Sequence, residues 1–94
     1  MAIQASDGVV FRNLSGEAVL LNLATGIYFG LNETGTRMWT LLLETGDKEK
    51  TISRLKREYD ADEPRLRQDL DQLVLQLSEK GLLKEESEVH GPKS

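Results

Sequence analysis

The hydrophobic pattern changes at Asn32, and this change constrains the fold more than any other feature of the sequence. Before Asn32, short apolar runs are separated by glycine-containing turns, which predicts an antiparallel meander of strands. The runs span residues 9–11, 17–23 and 27–31. After Asn32, apolar residues recur at helical spacing. Three strands followed by three helices predict an α+β fold.

Three helices are predicted after this change. Asn32 is a favoured N-cap, and the first helix extends to about Glu44. The second contains the apolar residues Ile52, Leu55 and Tyr59. The third covers residues 63–80, with Asp62 as a possible cap, Pro64 in its first turn and Gly81 at its end. Its apolar residues have the spacing of a single packed seam: Leu66, Leu70, Leu73 and Leu77.

Length and composition predict one folded domain over residues 1–84 and a flexible polar tail over residues 85–94. The absence of cysteine excludes disulfides and zinc–thiolate sites, and it suits the reducing cytoplasm. No apolar run approaches the roughly 18 residues of a membrane span. The net charge of −4 disfavours nucleic-acid binding, which usually needs a positive excess.

No group of residues predicts catalysis. The only histidine, His90, is in the polar tail, whereas a general base needs a fixed position. No serine therefore has an obvious histidine to activate it. The acidic residues near Asp60 are better explained as helix caps than as a calcium loop. We expect no catalytic residue, no metal and no cofactor.

Two binding functions remain. The second and third helices could form a helix-turn-helix with the strands as a wing, as in a DNA-binding regulator. The third helix does carry Arg65, Arg67 and Gln68, but acidic residues are interspersed among them, and phosphates would repel these.

The other binding surface is the third predicted strand, residues 27–31, which is an edge of the meander. It has neither charge nor proline to prevent another strand from pairing with it. An extended peptide could therefore add there. Phe29 fits a core residue, whereas the position of Tyr28 is open because it alternates away from Ile27 and Leu31.

Two segments resemble the PqqD-like proteins, which are peptide-recognition elements in pathways of ribosomally made, modified peptides. They are GEAVLLNLATGIYFGLNETGTRMWTLL and REYDADEPRLRQDLDQLVLQLSEKGLL. The resemblance covers about residues 8–84 and is greatest to the stand-alone leader-binding proteins of lasso-peptide systems. It implies a winged-helix-like fold with a three-stranded antiparallel sheet and three helices.

The resemblance also implies a site. The leader of a precursor peptide would add as an antiparallel strand to residues 27–31, in the cleft against helix 63–80. The strand would contribute the backbone of Ile27, Tyr28, Phe29 and Gly30. The helix would contribute Asp69, Gln72, Leu73, Gln76, Leu77 and Lys80. Asp69 could pair with a basic leader residue or a leader N–H, or with Arg65 one turn earlier. Trp39 is expected in the core.

The family's role is non-catalytic. The protein would hold the leader and present the rest of the precursor to a separate cysteine protease and an asparagine-synthetase-like cyclase, as in lasso-peptide maturation. Some members of the family serve radical enzymes instead, and no residue of this chain indicates which enzyme it serves. Neither a nucleic acid nor a membrane is expected as a partner.

Overall fold

The computed structural model describes residues 2–86, which form five strands and three helices. The strands are β1 (Ala2–Ala5), β2 (Val9–Leu14), β3 (Glu17–Asn22), β4 (Tyr28–Leu31) and β5 (Leu83–Glu86). The helices are α1 (Glu33–Thr45), α2 (Lys48–Glu58) and α3 (Glu63–Glu79). Strands β2, β3 and β4 form an antiparallel sheet in that order. The predicted meander followed by three helices is confirmed.

A second, two-stranded sheet was not predicted. Strand β1 pairs antiparallel with β5, so that Ala2 lies opposite Glu86. The predicted tail is therefore wrong for residues 85 and 86, and its remainder, residues 87–94 with His90, lies outside the described residues. The sequence Leu-Lys-Glu-Glu lacks an alternating apolar pattern. Pairing with β1 and burial of Leu83 define this strand instead.

The helix ends follow the predicted capping chemistry at α1. The Asn32 side chain accepts a hydrogen bond from the Gly35 N–H at 2.8 Å. Gly46 ends the helix in the left-handed conformation, with φ of 69°. At α3, Asp62 occupies the N-cap position, but its side chain makes no capping hydrogen bond. None of the helices within residues 2–86 has the length and apolar character needed to cross a membrane.

The core lies between the sheet and the helices. The predicted seam of α3 is buried, and Trp39 of α1 is buried with it, as expected. Phe11 of β2 stacks on Trp39 with ring centroids 6.5 Å apart, which joins the far edge of the sheet to α1. The core therefore fixes both α1 and α3 relative to the sheet.

The two faces of the sheet differ. The inward residues of β3 are Ala18, Leu20 and Asn22, all buried. The opposite side is the outer face of the sheet, where several apolar side chains are partly or largely exposed. We define this outer face by Val10, Leu14, Val19, Leu21 and Tyr28, using the strand register.

A buried amide ties the β3–β4 turn to the end of α3. Asn22 is buried, with 6% of the residue's surface exposed. Its amide nitrogen donates to the Gly81 carbonyl at 2.8 Å. Its oxygen accepts from the Ala24 N–H at 2.9 Å. The start of β4 and the C-terminal end of α3 are thereby held at a fixed spacing.

Ion pairs connect the helices on the surface. Arg37 of α1 donates to Glu58 of α2 at 2.7 Å, and this hydrogen bond lowers the pKa of the Glu58 carboxyl. Arg67 of α3 donates to Glu49 of α2 at 3.0 Å and to Glu63 at 2.9 Å. These hydrogen bonds raise the pKa of Arg67 and lower the pKa of Glu49. The pKa of Glu63 is lowered first by a hydrogen bond from Lys56 and then by that from Arg67.

We predict that Asn22→Asp destabilises the protein by about 2 kcal/mol, because the Gly81 carbonyl loses its donor and faces a carboxylate. Urea unfolding monitored by circular dichroism would measure this loss. The matched control is Asn13→Asp, since Asn13 uses only its oxygen, as acceptor from the Gly16 N–H at 2.9 Å. Equal stability of the two variants would contradict the role of the Asn22 donor.

The Arg37–Glu58 pair predicts a pH-dependent effect. The folded-state pKa of Glu58 lies below its ordinary value of 4.5, so the pair stabilises above that value and loses its effect as pH falls through the folded pKa. Glu58→Gln should lower the melting temperature by about 2–4 °C at pH 7 and by progressively less as the pH falls below 4.5. Scanning calorimetry across this pH range would test this. Glu17→Gln, at an exposed position, is the control.

Candidate functional site

Strand β4 is an edge of the three-stranded sheet, because it pairs only with β3. The Asn22 N–H donates to the Ile27 carbonyl at 2.9 Å, which sets the phase of the β3–β4 ladder. In an antiparallel ladder, alternate residues bond to the partner strand. The N–H and C=O groups of Phe29 therefore point toward β3, whereas those of Tyr28 and Gly30 point to the open edge.

The edge ends where α1 begins. Thr36 is buried, and its hydroxyl accepts from the Ala18 N–H at 3.0 Å. The same hydroxyl lies 3.5 Å from the Leu31 carbonyl, to which it donates. It thus bridges β3 and β4 at the end of their ladder. Because Asn32 caps the helix directly after Leu31, the first turn of α1 stands at the end of the open edge.

A groove of about 420 Å³ separates this first turn from α3. We call it the α1–α3 groove. Its lining comprises Asn32, Thr34, Gly35 and Met38 on one side and Asp69, Gln72, Leu73 and Gln76 on the other. Four of the helix residues predicted for the site are therefore brought together. The lining is part polar and part apolar, as a peptide with alternating side chains requires.

Strand β4 and α3 also meet at a second point. The Lys80 ammonium group lies 5.9 Å from the centre of the Phe29 ring, a cation–π contact between the strand and the end of the helix. Phe29 is half-buried and packs against the core. The wall of the site thus continues from the α1–α3 groove to Lys80.

Three further residues predicted for the site lie outside the α1–α3 groove. The Leu77 side chain is fully buried at 0% exposure, so it offers no surface to a peptide and supports the site only by packing. Tyr28 lies opposite Leu21, and its side chain is on the outer face, away from α3. Ile27 is exposed and precedes β4, with its carbonyl bound to Asn22.

Asp69 lies both near Arg65 and at the groove, and its contact with a leader stays a prediction. It lines the α1–α3 groove, and its carboxylate lies 3.7 Å from the Arg65 guanidinium one turn earlier. This distance exceeds a hydrogen bond, and both side chains are at least half exposed. Such a pair contributes at most about 1 kcal/mol. Asp69 therefore keeps its capacity to accept hydrogen bonds from a ligand.

The position of α1 residues in the groove lining was not predicted from the sequence. Asn32, Thr34, Gly35 and Met38 line the groove, yet only the capping role of Asn32 was recognised. A signal was present: no linker separates strand 27–31 from the helix, so the first helical turn has to lie at the end of the strand.

The arrangement of α3 does not favour DNA binding. Arg67 is held by Glu49 and Glu63, and Arg65 lies beside Asp69. These arginines of the candidate recognition helix are thus already close to carboxylates. A DNA-reading helix would instead direct its basic groups to phosphates and bases.

Solved structures with a similar fold contain leader peptides. TbiB1 in complex with the TbiA(beta) leader peptide is 38% identical, with a TM-score of 0.82, and the match covers 90% of this chain and 99% of TbiB1. Lasso peptide synthetase B1 complexed with the leader peptide has a TM-score of 0.81 over 89% of this chain and 99% of its own. At 23% identity, the second match shows the fold alone.

No curated protein shows significant sequence similarity to this chain. The family model of coenzyme PQQ synthesis protein D (PqqD) matches residues 17–83, which extend from the start of β3 to the start of β5. The match includes β4, the α1–α3 groove and Lys80. The chain therefore belongs to the PqqD family.

Proposed function

We propose that this protein binds the leader segment of a ribosomally made precursor peptide. The leader adds as an antiparallel strand to β4 and lies against α3. One observation carries the proposal: the main-chain groups of Tyr28 and Gly30 point to an open edge that faces a groove. The similarity to TbiB1, whose structure contains the TbiA(beta) leader peptide, supports it.

The edge and the groove have different roles in this binding. Tyr28 and Gly30 offer two donors and two acceptors, and each net hydrogen bond contributes about 0.5–1.5 kcal/mol. Almost any extended peptide can form such hydrogen bonds, so they contribute affinity but little selectivity. Alternate leader side chains then point toward α3, where Leu73, Met38 and Phe29 provide apolar contacts. These contacts select the leader sequence.

The outer face of the sheet suits a partner protein. Val10 is 46% exposed, Leu14 57% and Tyr28 70%, which is a concentration of apolar surface on a small sheet. A leader strand on β4 would extend this sheet, so its other side chains would join the outer face. An enzyme docked there would meet the protein and its bound leader together.

The proposed partners are those of lasso-peptide maturation: a cysteine protease that removes the leader and an asparagine-synthetase-like cyclase. The protein itself is non-catalytic and acts by tethering, which raises the effective concentration of the precursor at each enzyme. The absence of cysteine fits a reducing compartment, and we place the interaction in the cytoplasm.

We predict that Gly30→Pro weakens leader binding about tenfold or more. Proline removes the N–H that points to the open edge, and its ring obstructs the incoming strand. Gly30→Ala is the matched control, because a Cβ atom at Gly30 meets no other atom within 4 Å and the N–H remains. The assay is fluorescence polarisation with the labelled TbiA(beta) leader peptide, the ligand of the similar protein TbiB1.

Circular dichroism should show the same fold for both variants. Wild-type affinity of a folded Gly30→Pro variant would exclude strand addition at β4. Proline at Phe29 would be a poorer test, because the Phe29 main chain pairs with Leu20 inside the sheet and its loss would perturb the fold.

We also predict an effect of Val10→Asp on the rate at which the protease cleaves the leader in the presence of this protein. The rate should fall at least fivefold, which corresponds to a loss of about 1 kcal/mol at an interface. Leader affinity should stay unchanged, because Val10 lies on β2, away from the β4 edge. Val10→Thr keeps the branched shape and serves as control. A cleavage rate unaffected by Val10→Asp would show that the enzyme docks elsewhere.

A further inference from the structure

The two ends of the peptide site carry opposite charges. Asp69 lies at one end, beside Asn32 and the first turn of α1. Lys80 lies at the other end, over the Phe29 ring. Between them the lining of the α1–α3 groove is uncharged, with Gln72, Leu73 and Gln76. A bound strand would therefore meet a negative charge at one end and a positive charge at the other.

Lys80 is available to a ligand. It is exposed, and among the side chains described, those of residues 3–84, it forms no ion pair with an acidic group. Its contact with the Phe29 ring positions the ammonium group at the strand without neutralising it. A carboxylate of a bound peptide can approach the ammonium group from the open side.

Asp69 is available in the same sense. Its neighbour Arg65 is 75% exposed in its side chain and too distant for a hydrogen bond. A basic side chain in the groove would give the Asp69 carboxylate a closer partner.

The geometry gives the order of the two charges along the peptide. Strand β4 runs from Tyr28 through Phe29, which contacts Lys80, to Leu31, which directly precedes the groove residue Asn32. Asp69 lines the same groove. An antiparallel partner runs in the opposite direction, so it reaches Asp69 first and Lys80 later. The residue that meets Asp69 is thus the N-terminal one of the pair.

The spacing follows from helix and strand dimensions. Eleven residue steps from Asp69 to Lys80 correspond to about 16 Å along the helix axis. A strand covers that distance in about five residues. Both side chains have to point toward α3, and strand side chains alternate, so their separation is an even number, about four or six residues.

We infer that the leader bound by this protein carries a basic residue that pairs with Asp69 and, about four or six residues later, an acidic residue that pairs with Lys80. This inference rests on the proposed function and deepens it by specifying the chemistry of the ligand. The charges fix the direction and register of a strand whose main-chain hydrogen bonds alone would allow it to slip.

The test is selection from a library of random 14-residue peptides by mRNA display, with wild-type protein, Lys80→Glu and Asp69→Lys as baits. Peptides recovered with wild type should show a basic residue followed by an acidic residue at the stated spacing. Lys80→Glu should change the second position to basic, and Asp69→Lys should change the first position to acidic. Competition by excess free wild-type protein, but not by Gly30→Pro, identifies peptides bound at β4.

A single recovered peptide then provides a charge-swap experiment at low salt, where exposed charges are least screened. Lys80→Glu should weaken its binding about fivefold, as expected for loss of a partly exposed ion pair and gain of repulsion. Replacing the acidic peptide residue by lysine should restore the affinity of Lys80→Glu and weaken that of wild type. A purely structural role of Lys80 would give no such rescue.

Two control baits change charge elsewhere. Lys50→Glu changes a residue in the first turn of α2, and Asp60→Lys changes a residue between α2 and α3. Both should recover the same peptides as wild type. The inference is wrong if the β4-bound peptides lack the charge pattern. It is also wrong if Lys80→Glu and Asp69→Lys recover peptides with the same charges as wild type. In both cases the proposed function still stands. If no peptide competes at β4, the proposed function itself fails.

Discussion

The direct passage of the chain from β4 into α1 is the constraint on which the site depends. Leu31 ends the strand in the core, and Asn32 caps the helix at once. The first turn of α1 is therefore fixed at the end of β4, and the Thr36 hydroxyl closes the ladder there. With α3 held by its leucine seam, the edge of β4 remains uncovered and faces a groove. Any loop inserted at Asn32 would separate these parts.

The site combines an unselective and a selective component. Main-chain groups at Tyr28 and Gly30 can pair with any extended chain, and natural proteins usually protect such an edge. Here the edge is short, and α3 stands beside it, so only a peptide that also fits the groove gains enough contacts. A protected but usable edge is consistent with a protein that binds one segment and rejects others.

Much of the fold was predictable because its signals are local. Alternation and glycine turns predicted β2, β3 and β4, while the spacing of apolar residues and the cap at Asn32 predicted the helices. The β1–β5 sheet was not predictable, since the strand of residues 83–86 has a polar sequence and depends on its distant partner. Helical spacing also predicted which side chains of α3 lie together, and four of them line the α1–α3 groove: Asp69, Gln72, Leu73 and Gln76. Their contact with a leader stays a prediction. Which main-chain groups face the edge depends on the β3–β4 register, so the pattern alone did not show that Ile27 and Phe29 bond to β3.

The Asn22–Gly81 hydrogen bond joins residues that are 59 positions apart. Contacts of such sequence separation form late, because the intervening chain has to be ordered first. During synthesis, β3 and β4 emerge long before Gly81 does. The spacing between β4 and the end of α3 is then set only when nearly the whole domain has left the ribosome. An unfinished chain would expose the β4 edge before α3 is in place beside it. Mispairing of β4 with another strand is therefore most expected during this stage of synthesis.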